Sequence, residues 1–369
     1  MSSHNRILAD IPARRCAIVL EYWSPMLSWA AYGLARRAAG YGGLGSLRGW
    51  SFTLTDTRWF TQQRDLMDAC ARTSGRIEPA SLIGAYRDIA RGAFDCVVVT
   101  DNSEALWLLQ GMQCKRPIVV ADGNDSPDIA LDIIKHPSVS RILKAQHPAN
   151  IPLASDGVMA RPLNASEAAR IDPFPYFPSS ASACNSRWRG RGYDTGKHAW
   201  FLGWAGTQQR TDIITAIVNA KVPFEGGLHA RTDVYESKTE SLQDTAKVIA
   251  PRVSKHEWVD SLERAGVVID IPGRGAMTHR LVEAMRHGCP IVAQRRSAAH
   301  WPDGNVPRDG HELVWFTDEQ DAPDACNRVL RDSALQAYIA AGARAYYEQH
   351  LTSECAADTL IRSIDKACK

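Results

Sequence analysis

Residues 257–294, EWVDSLERAGVVIDIPGRGAMTHRLVEAMRHGCPIVAQ, hold a complete helix–strand–loop–helix–strand unit. The run VVIDIPG at 267–273 is short, apolar and rich in β-branched side chains, so it reads as a buried strand. It leads into a loop carrying Gly273 and Gly275, and a helix follows through 277–287 with Arg280 and Glu283 one turn apart. Gly288 stops that helix, and Pro290 opens the next strand, PIVAQ. Strand, turn, helix and strand in this order make a βαβ unit with parallel strands.

The alternation continues outward. Upstream, HAWFLGWAG (198–206) reads as a strand with a glycine turn. RTDIITAIVNA carries apolar residues at 213, 214, 217 and 218, close to helical spacing. VPFEGGL and AKVIAP read as strands, and SKHEWVDSLERAG as a helix ended by Gly266. The last residues, from DSALQAYIAAGARAYYEQH onward, read as helices. The N-terminal half repeats the rhythm: strands at CAIVL (16–20), SFTLTDT, DCVVVTD (95–101) and PIVVADG (117–123), with helical patterns between them, including one that extends to about Gly92. Residues 148–198, rich in Pro, Ser and Gly, interrupt it, so the domain connection is expected near 175–195. The predicted organisation is an N-terminal Rossmann-like domain over 1–180, a C-terminal one over 195–335, and closing helices over 336–369.

Composition agrees with an ordinary globular α/β protein. The chain has 369 residues, 45% of them hydrophobic, which suffices for two cores. Its 43 basic and 41 acidic side chains leave a net charge of +2, which gives no field suited to nucleic acid or an acidic membrane. Nine scattered cysteines form no CxxC pair and predict buried thiols in a reducing, cytoplasmic setting. No apolar run approaches the ~20 residues of a membrane span, which leaves peripheral membrane contact as the only kind expected.

The loop and helix after residue 270 suit a nucleoside diphosphate. Glycines let a backbone approach phosphate, and a helix N-terminus offers N–H donors and the positive end of a dipole. A glutamate on that helix can accept two ribose hydroxyls, and an arginine can bridge phosphate oxygens bidentately. The set Gly273, Gly275, Thr278, Arg280, Glu283, Ala284, Gly288 and Pro290-Ile291-Val292 resembles the nucleotide-sugar-binding half of GT-B glycosyltransferases, most of all the exostosin-type pattern. FLGWAGTQQR (201–210) resembles the first strand of that domain, with Gly203 in the strand and Arg210 at a phosphate-binding position. DGHELVWFTD (309–318) resembles a segment further on. The resemblance spans 198–330 and implies two Rossmann-like domains facing across a cleft, the N-terminal one for the acceptor, closing helices over 336–369 that cross back onto the N-terminal domain, a nucleotide-sugar donor with UDP favoured, and no cofactor or metal. Retaining members often carry a second glutamate eight residues before the first; Gly275 stands there, which favours inversion.

An inverting transferase needs a base to take the acceptor proton. Parallel sheets bind ligands at the carboxyl ends of their strands. Three acids stand at such ends: Asp101, Asp122 and Glu21, ranked in that order. Each can also be a turn or cap residue. The sequence DGND is not a metal-binding DxD, the eleven histidines show no ligand spacing, and no GxSxG or P-loop occurs. The acceptor stays open between a surface glycan, a lipid-linked sugar and a modified base in DNA. The basic, aromatic stretch SRWRGRGYDTGK (186–197) keeps the last alive. A catalytically silent GT-B-like binding module is the alternative of a different class.

Overall fold

The computed structural model describes residues 16–20, 77–81, 94–100, 115–122, 128–146, 153–155, 160–177, 196–205, 207–229, 253–273, 275–298 and 301–369, with 65, 66, 69, 70, 72 and 250. The chain divides into two compact units: Met1–Ala181 with Ser353–Lys369, and Ser182–Thr352.

The first unit is built on β1 (Cys16–Leu20), β2 (Ile77–Ser81), β3 (Cys96–Thr100), β4 (Ile118–Asp122), β5 (Ile129–Ala130), α1 (Leu131–Lys135), β6 (Val139–Lys144), β7 (Leu153–Ser155), β8 (Ala160–Pro162), α2 (Ala165–Ala168) and β9 (Ile171–Pro173). Six strands form one sheet in the order β2-β1-β3-β4-β6-β9, and every pairing in it is parallel. A second, three-stranded sheet joins β5, β7 and β8. Val97, Val99, Ile118 and Val120 fill the core with Ile133, Ile142 and Ile171, which is why the central strands read as unbroken apolar runs. Several strands depart from the sequence reading, among them β7, β8 and β9, which lie in the stretch 148–198 expected to interrupt the alternation. Residues 77–81, expected within a helical region, form the edge strand β2, where Pro79 is tolerated because an edge needs fewer ladder donors. β6, VSRILK, was not anticipated, because its basic residues mask its apolar ones. The strand expected at SFTLTDT and the helix expected after β3 lie outside the described residues; of the helical region expected before β2, residues 65, 66, 69, 70 and 72 are described and are helical.

The second unit holds β10 (Ala199–Trp204), α3 (Gln208–Asn219), β11 (Phe224–His229), α4 (Lys255–Arg264), β12 (Val267–Asp270), α5 (His279–Arg286), β13 (Ile291–Gln294), β14 (Val314–Phe316), α6 (Ala322–Leu330) and α7 (Ser333–His350). Its sheet runs β11-β10-β12-β13-β14, again parallel throughout. The strand expected at AKVIAP lies almost wholly outside the described residues. Local signals set the helix starts. Thr207 caps α3, Thr278 caps α5, and Ser254 with Glu257 forms a capping box on α4. Phe201, Ile213, Ile217, Ile269, Val292 and Phe316 belong to its core.

The closing helices separate. α7 packs on α5 and α6 of the second unit. The last helix, α8 (Ser353–Ala367), belongs to the first unit and packs on β4 and β6. Asp172 on β9 secures it by accepting from Ser363 (3.1 Å) and Lys366 (3.3 Å), while Arg141 pairs with the same carboxylate. Burial opposes the charge on Asp172, but Arg141, Lys366 and Ser363 outweigh it and hold the carboxyl below its ordinary range.

The docking of α7 makes a prediction with an unusual sign. A Cβ on Gly342 would lie 2.2 Å from the backbone oxygen of His311. In a free helix, Gly→Ala stabilises by roughly 0.5–1 kcal/mol, whereas overpacking costs about 1–3 kcal/mol. Gly342→Ala should therefore lower stability in chemical denaturation; a gain would mean that α7 does not approach the 309–313 turn so closely.

Candidate functional site

In the second unit the chain passes from β10 outward to β11, then returns to β12 on the other side of β10. The sheet order therefore reverses between β10 and β12, and open α/β sheets bind ligands outside the carboxyl ends of such a strand pair. Gly203 lies near that end of β10 and Asp270 ends β12.

Asp270 is fully buried. Three donors converge on it: the hydroxyl of Thr278, Nη1 of Arg280 at 3.4 Å, and Nη2 of Arg296. Burial alone would raise its pKa; Arg296, Arg280 and Thr278 outweigh burial and hold the carboxyl below its ordinary range. Thr278 has two tasks, since its oxygen also accepts from the N–H of Leu281 as the cap of α5. Arg280 donates to the carbonyl of Leu202 at 3.1 Å and lies 3.9 Å from the centroid of the Phe201 ring. Burial pushes its pKa down, Asp270 opposes that, and the neighbouring Arg210 and Arg296 add to it.

Arg210 is occupied differently from the sequence expectation. Its Nε, Nη1 and Nη2 donate to the carbonyls of Pro272, Trp204 and Ile271, each at 3.0 Å. It ties the end of β10 to the loop after β12, so its guanidinium serves the backbone. The glycines also differ. A Cβ on Gly203 would sit 2.5 Å from Nη2 of Arg280, and one on Gly273 would sit 2.7 Å from Nη2 of Arg210. The space read as clearance for phosphate is filled by guanidinium groups. Gly275 is buried, and its carbonyl accepts from the N–H of Gly273 at 3.1 Å, which tightens the turn.

Glu283 sits one turn into α5 and is 6% exposed. Its Oε2 is buried with no hydrogen-bond partner among the described residues, 3.8 Å from Nη1 of Arg286 and 3.8 Å from Nε2 of His287. A buried carboxylate oxygen without a donor is costly, which suits a group that receives its donors from a ligand. His287 is itself held by Glu263 through Nδ1 at 2.8 Å.

Of the three candidate bases, Asp122 alone is described. It ends β4 directly opposite Lys144 of β6, and the two form an ion pair at 2.7 Å with side chains 4% and 0% exposed. A buried carboxylate matched to a buried ammonium is accounted for structurally, because losing either partner strands the other charge. Asp101 and Glu21 lie outside the described residues. The strands that precede them, β3 and β1, are neighbours at the point where the order of the first sheet reverses.

Sequence reasoning missed Asp270 and Arg296. Asp270 was legible: an aspartate inside VVIDIP has to be paired if that run is a buried strand. Arg296 carried no comparable signal. Among the described residues no group of three or more His, Cys, Asp or Glu side chains could hold a metal ion, and no helix is long and apolar enough to cross a membrane.

Residues 227–362 match the family described as Glycosyl transferase-like. No curated protein matches the chain. Among solved structures it is similar to an alpha,alpha-trehalose-phosphate synthase (UDP-forming) from Burkholderia xenovorans, at 12% identity over 95% of this chain and 100% of that one, with a TM-score of 0.51. It is likewise similar to HepE of Anabaena in complex with UDP, at 11% identity over 95% of this chain and 100% of that one, with a TM-score of 0.50. The fold is that of the GT-B glycosyltransferases, with two Rossmann-like domains.

The depressed pKa of Asp270 sets a pH window. A carboxyl lowered on folding contributes its full stability above the unfolded value, about 3.9, and loses it as pH falls through the folded value. Near-UV circular dichroism should therefore hold down to about pH 4 as far as this group is concerned, with the contribution lost in stronger acid. Thr278→Val removes a donor to Asp270 and the cap of α5. It should cost about 1–2 kcal/mol and move acid unfolding to higher pH. An unchanged acid midpoint would take Thr278 out of the cluster.

Proposed function

We propose that this chain transfers a sugar from a nucleotide-sugar, with a UDP-sugar as the first choice of donor, to an acceptor hydroxyl with inversion at the anomeric carbon. The observation that carries the donor site is Glu283, a buried carboxylate with an unpartnered oxygen, on the helix that starts beside a cationic cluster at the switch point of a parallel sheet. Glu283 accepts the ribose hydroxyls. The turn at Gly273 and Gly275 and the N-terminus of α5 face the diphosphate, with Thr278 and Arg280 at its edge. Arg210 and the two clearance glycines, Gly203 and Gly273, hold the loop in shape. The UDP in complex with HepE supports a uridine nucleotide as the first donor to test.

In the reaction a base removes the acceptor proton as the acceptor oxygen bonds to the anomeric carbon. The bond from that carbon to the diphosphate oxygen breaks, and its electron pair leaves with the nucleoside diphosphate. Negative charge grows on the leaving group, where guanidinium and N–H donors stabilise it without a metal ion or other cofactor. Asp101 ranks first as the base. It directly follows β3, which borders the switch point of the first sheet, and Glu21 directly follows β1 on the other side of it. The pairing of Asp122 with Lys144 moves Asp122 to last place. The acceptor is a surface glycan or lipid-linked sugar handled in the cytoplasm, ahead of a modified DNA base, because the net charge is only +2.

Calorimetry with UDP, GDP and TDP tests the donor site. One of the three should bind, and Glu283→Ala should weaken it by about tenfold or more. Binding of none, or full binding by the variant, overturns the assignment. Slow hydrolysis of the donor without acceptor distinguishes an enzyme from a silent binding module. For the base, Asp101→Asn should cut turnover by ~10²–10⁴ with donor binding unchanged. Full turnover in that variant, with loss in Glu21→Gln, would exchange the two.

A further inference from the structure

Asp270 collects donors from three places: the cap of α5 (Thr278), the body of α5 (Arg280) and the segment after β13 (Arg296). Its charge is outnumbered. Arg210 and Arg296 both act electrostatically on Arg280, and Asp270 and Arg296 both act on Arg210, so three guanidiniums share the neighbourhood of one carboxylate. Buried charges are normally matched, as Lys144 and Asp122 are in the first unit. An excess of two positive charges therefore asks for a partner.

A second observation points the same way. The Arg296 side chain is 2% exposed and engages Asp270 through Nη2. Its Nε and Nη1 are buried without a hydrogen-bond acceptor among the described residues, and so is Nε of Arg280. Buried donors left without acceptors are rare in folded proteins and mark sites where something else supplies the acceptor. The two side chains that share the single Asp270 carboxylate are also the ones with donors left over.

We propose that Asp270 is a positioning residue that holds Arg280 and Arg296 as a preformed receptor for the diphosphate of the donor, with Arg296 presenting the open donors. This rests on the nucleotide-sugar reading above and adds to it two residues outside the motif that suggested it. Two negative charges on the ligand match the excess of the cluster, and diphosphate oxygens supply the acceptors that the guanidiniums lack. The receptor is assembled before the ligand arrives, so binding does not have to order the arginines. A protein that keeps such a cluster gives up stability for it, as binding sites commonly do.

That trade separates the proposal from an ordinary structural ion pair. Arg296→Gln removes one cation from the excess. The melting temperature without ligand should stay the same or rise, while affinity for UDP and for inorganic pyrophosphate falls by about tenfold or more. Uridine, which has no phosphate, should show no difference between variant and wild type. Asp270→Asn should weaken UDP and pyrophosphate similarly with Arg280 and Arg296 intact; if that variant does not fold, Arg296→Gln alone decides. A variant Arg296→Gln that melts lower and binds UDP as wild type does would make Arg296 a structural pair and overturn the proposal, while leaving the donor site standing. A wild type that binds neither UDP nor pyrophosphate would overturn the receptor, and the donor site falls with it only if GDP and TDP also fail to bind.

Discussion

The charge on Asp270 is the constraint around which the C-terminal unit is arranged. The residue ends the central strand of a five-stranded sheet and has no exposure to water, so its charge persists only with donors in place. Meeting that need determines where α5 begins, because Thr278 caps the helix with the same hydroxyl that reaches Asp270. It places Arg280 across the end of β10, over the Phe201 ring and against the carbonyl of Leu202. It draws in Arg296 after β13. One carboxylate thus connects β10, β12, α5 and the segment after β13, and Arg210 closes the arrangement by holding the loop between β12 and α5 through its carbonyls.

The first unit solves the same problem with balanced charge. Lys144 and Asp122 stand opposite each other on adjacent strands, both buried, one cation to one anion. Removing one member of such a pair typically costs about 3–5 kcal/mol, because the other is left uncompensated. That pair therefore explains itself as part of the sheet. The cluster in the second unit sets three guanidiniums, Arg210, Arg280 and Arg296, around one carboxylate, and the receptor proposal rests on that difference.

Much of this was legible in the sequence, for reasons tied to particular residues. The parallel sheets followed from the unbroken apolar runs CVVV, IVVA and VVI, which only strands covered on both faces carry. The start of α5 followed from Thr278 and the end from Gly288, whose φ of 62° few other residues adopt. β2 was hidden because Pro79 argues against a strand in general and is permitted only at an edge, and edges are a property of the whole sheet. β6 was hidden because Lys144 reads as a surface residue until its partner 22 positions earlier is known. The helix after Asp332 read as one of a closing group, yet its Gly342 face packs in the second unit and only α8 returns to the first.

The roles of the glycines and Arg210 were the least legible part, and the reason is general. A glycine before a helix signals that something must come close to the backbone, but the signal does not say what. At Gly203 and Gly273 the close neighbour is a guanidinium. An arginine near a helix start likewise offers five donors without saying who accepts them, and for Arg210 three backbone carbonyls do. Both residue types were read as facing phosphate, and in the fold their neighbours are protein groups. Three-dimensional packing adds a layer behind the motif residues, and Asp270, which holds Thr278, Arg280 and Arg296, belongs to it. A carboxylate in an apolar strand was the one sign of this layer in the sequence, because burial forces such a residue to recruit partners.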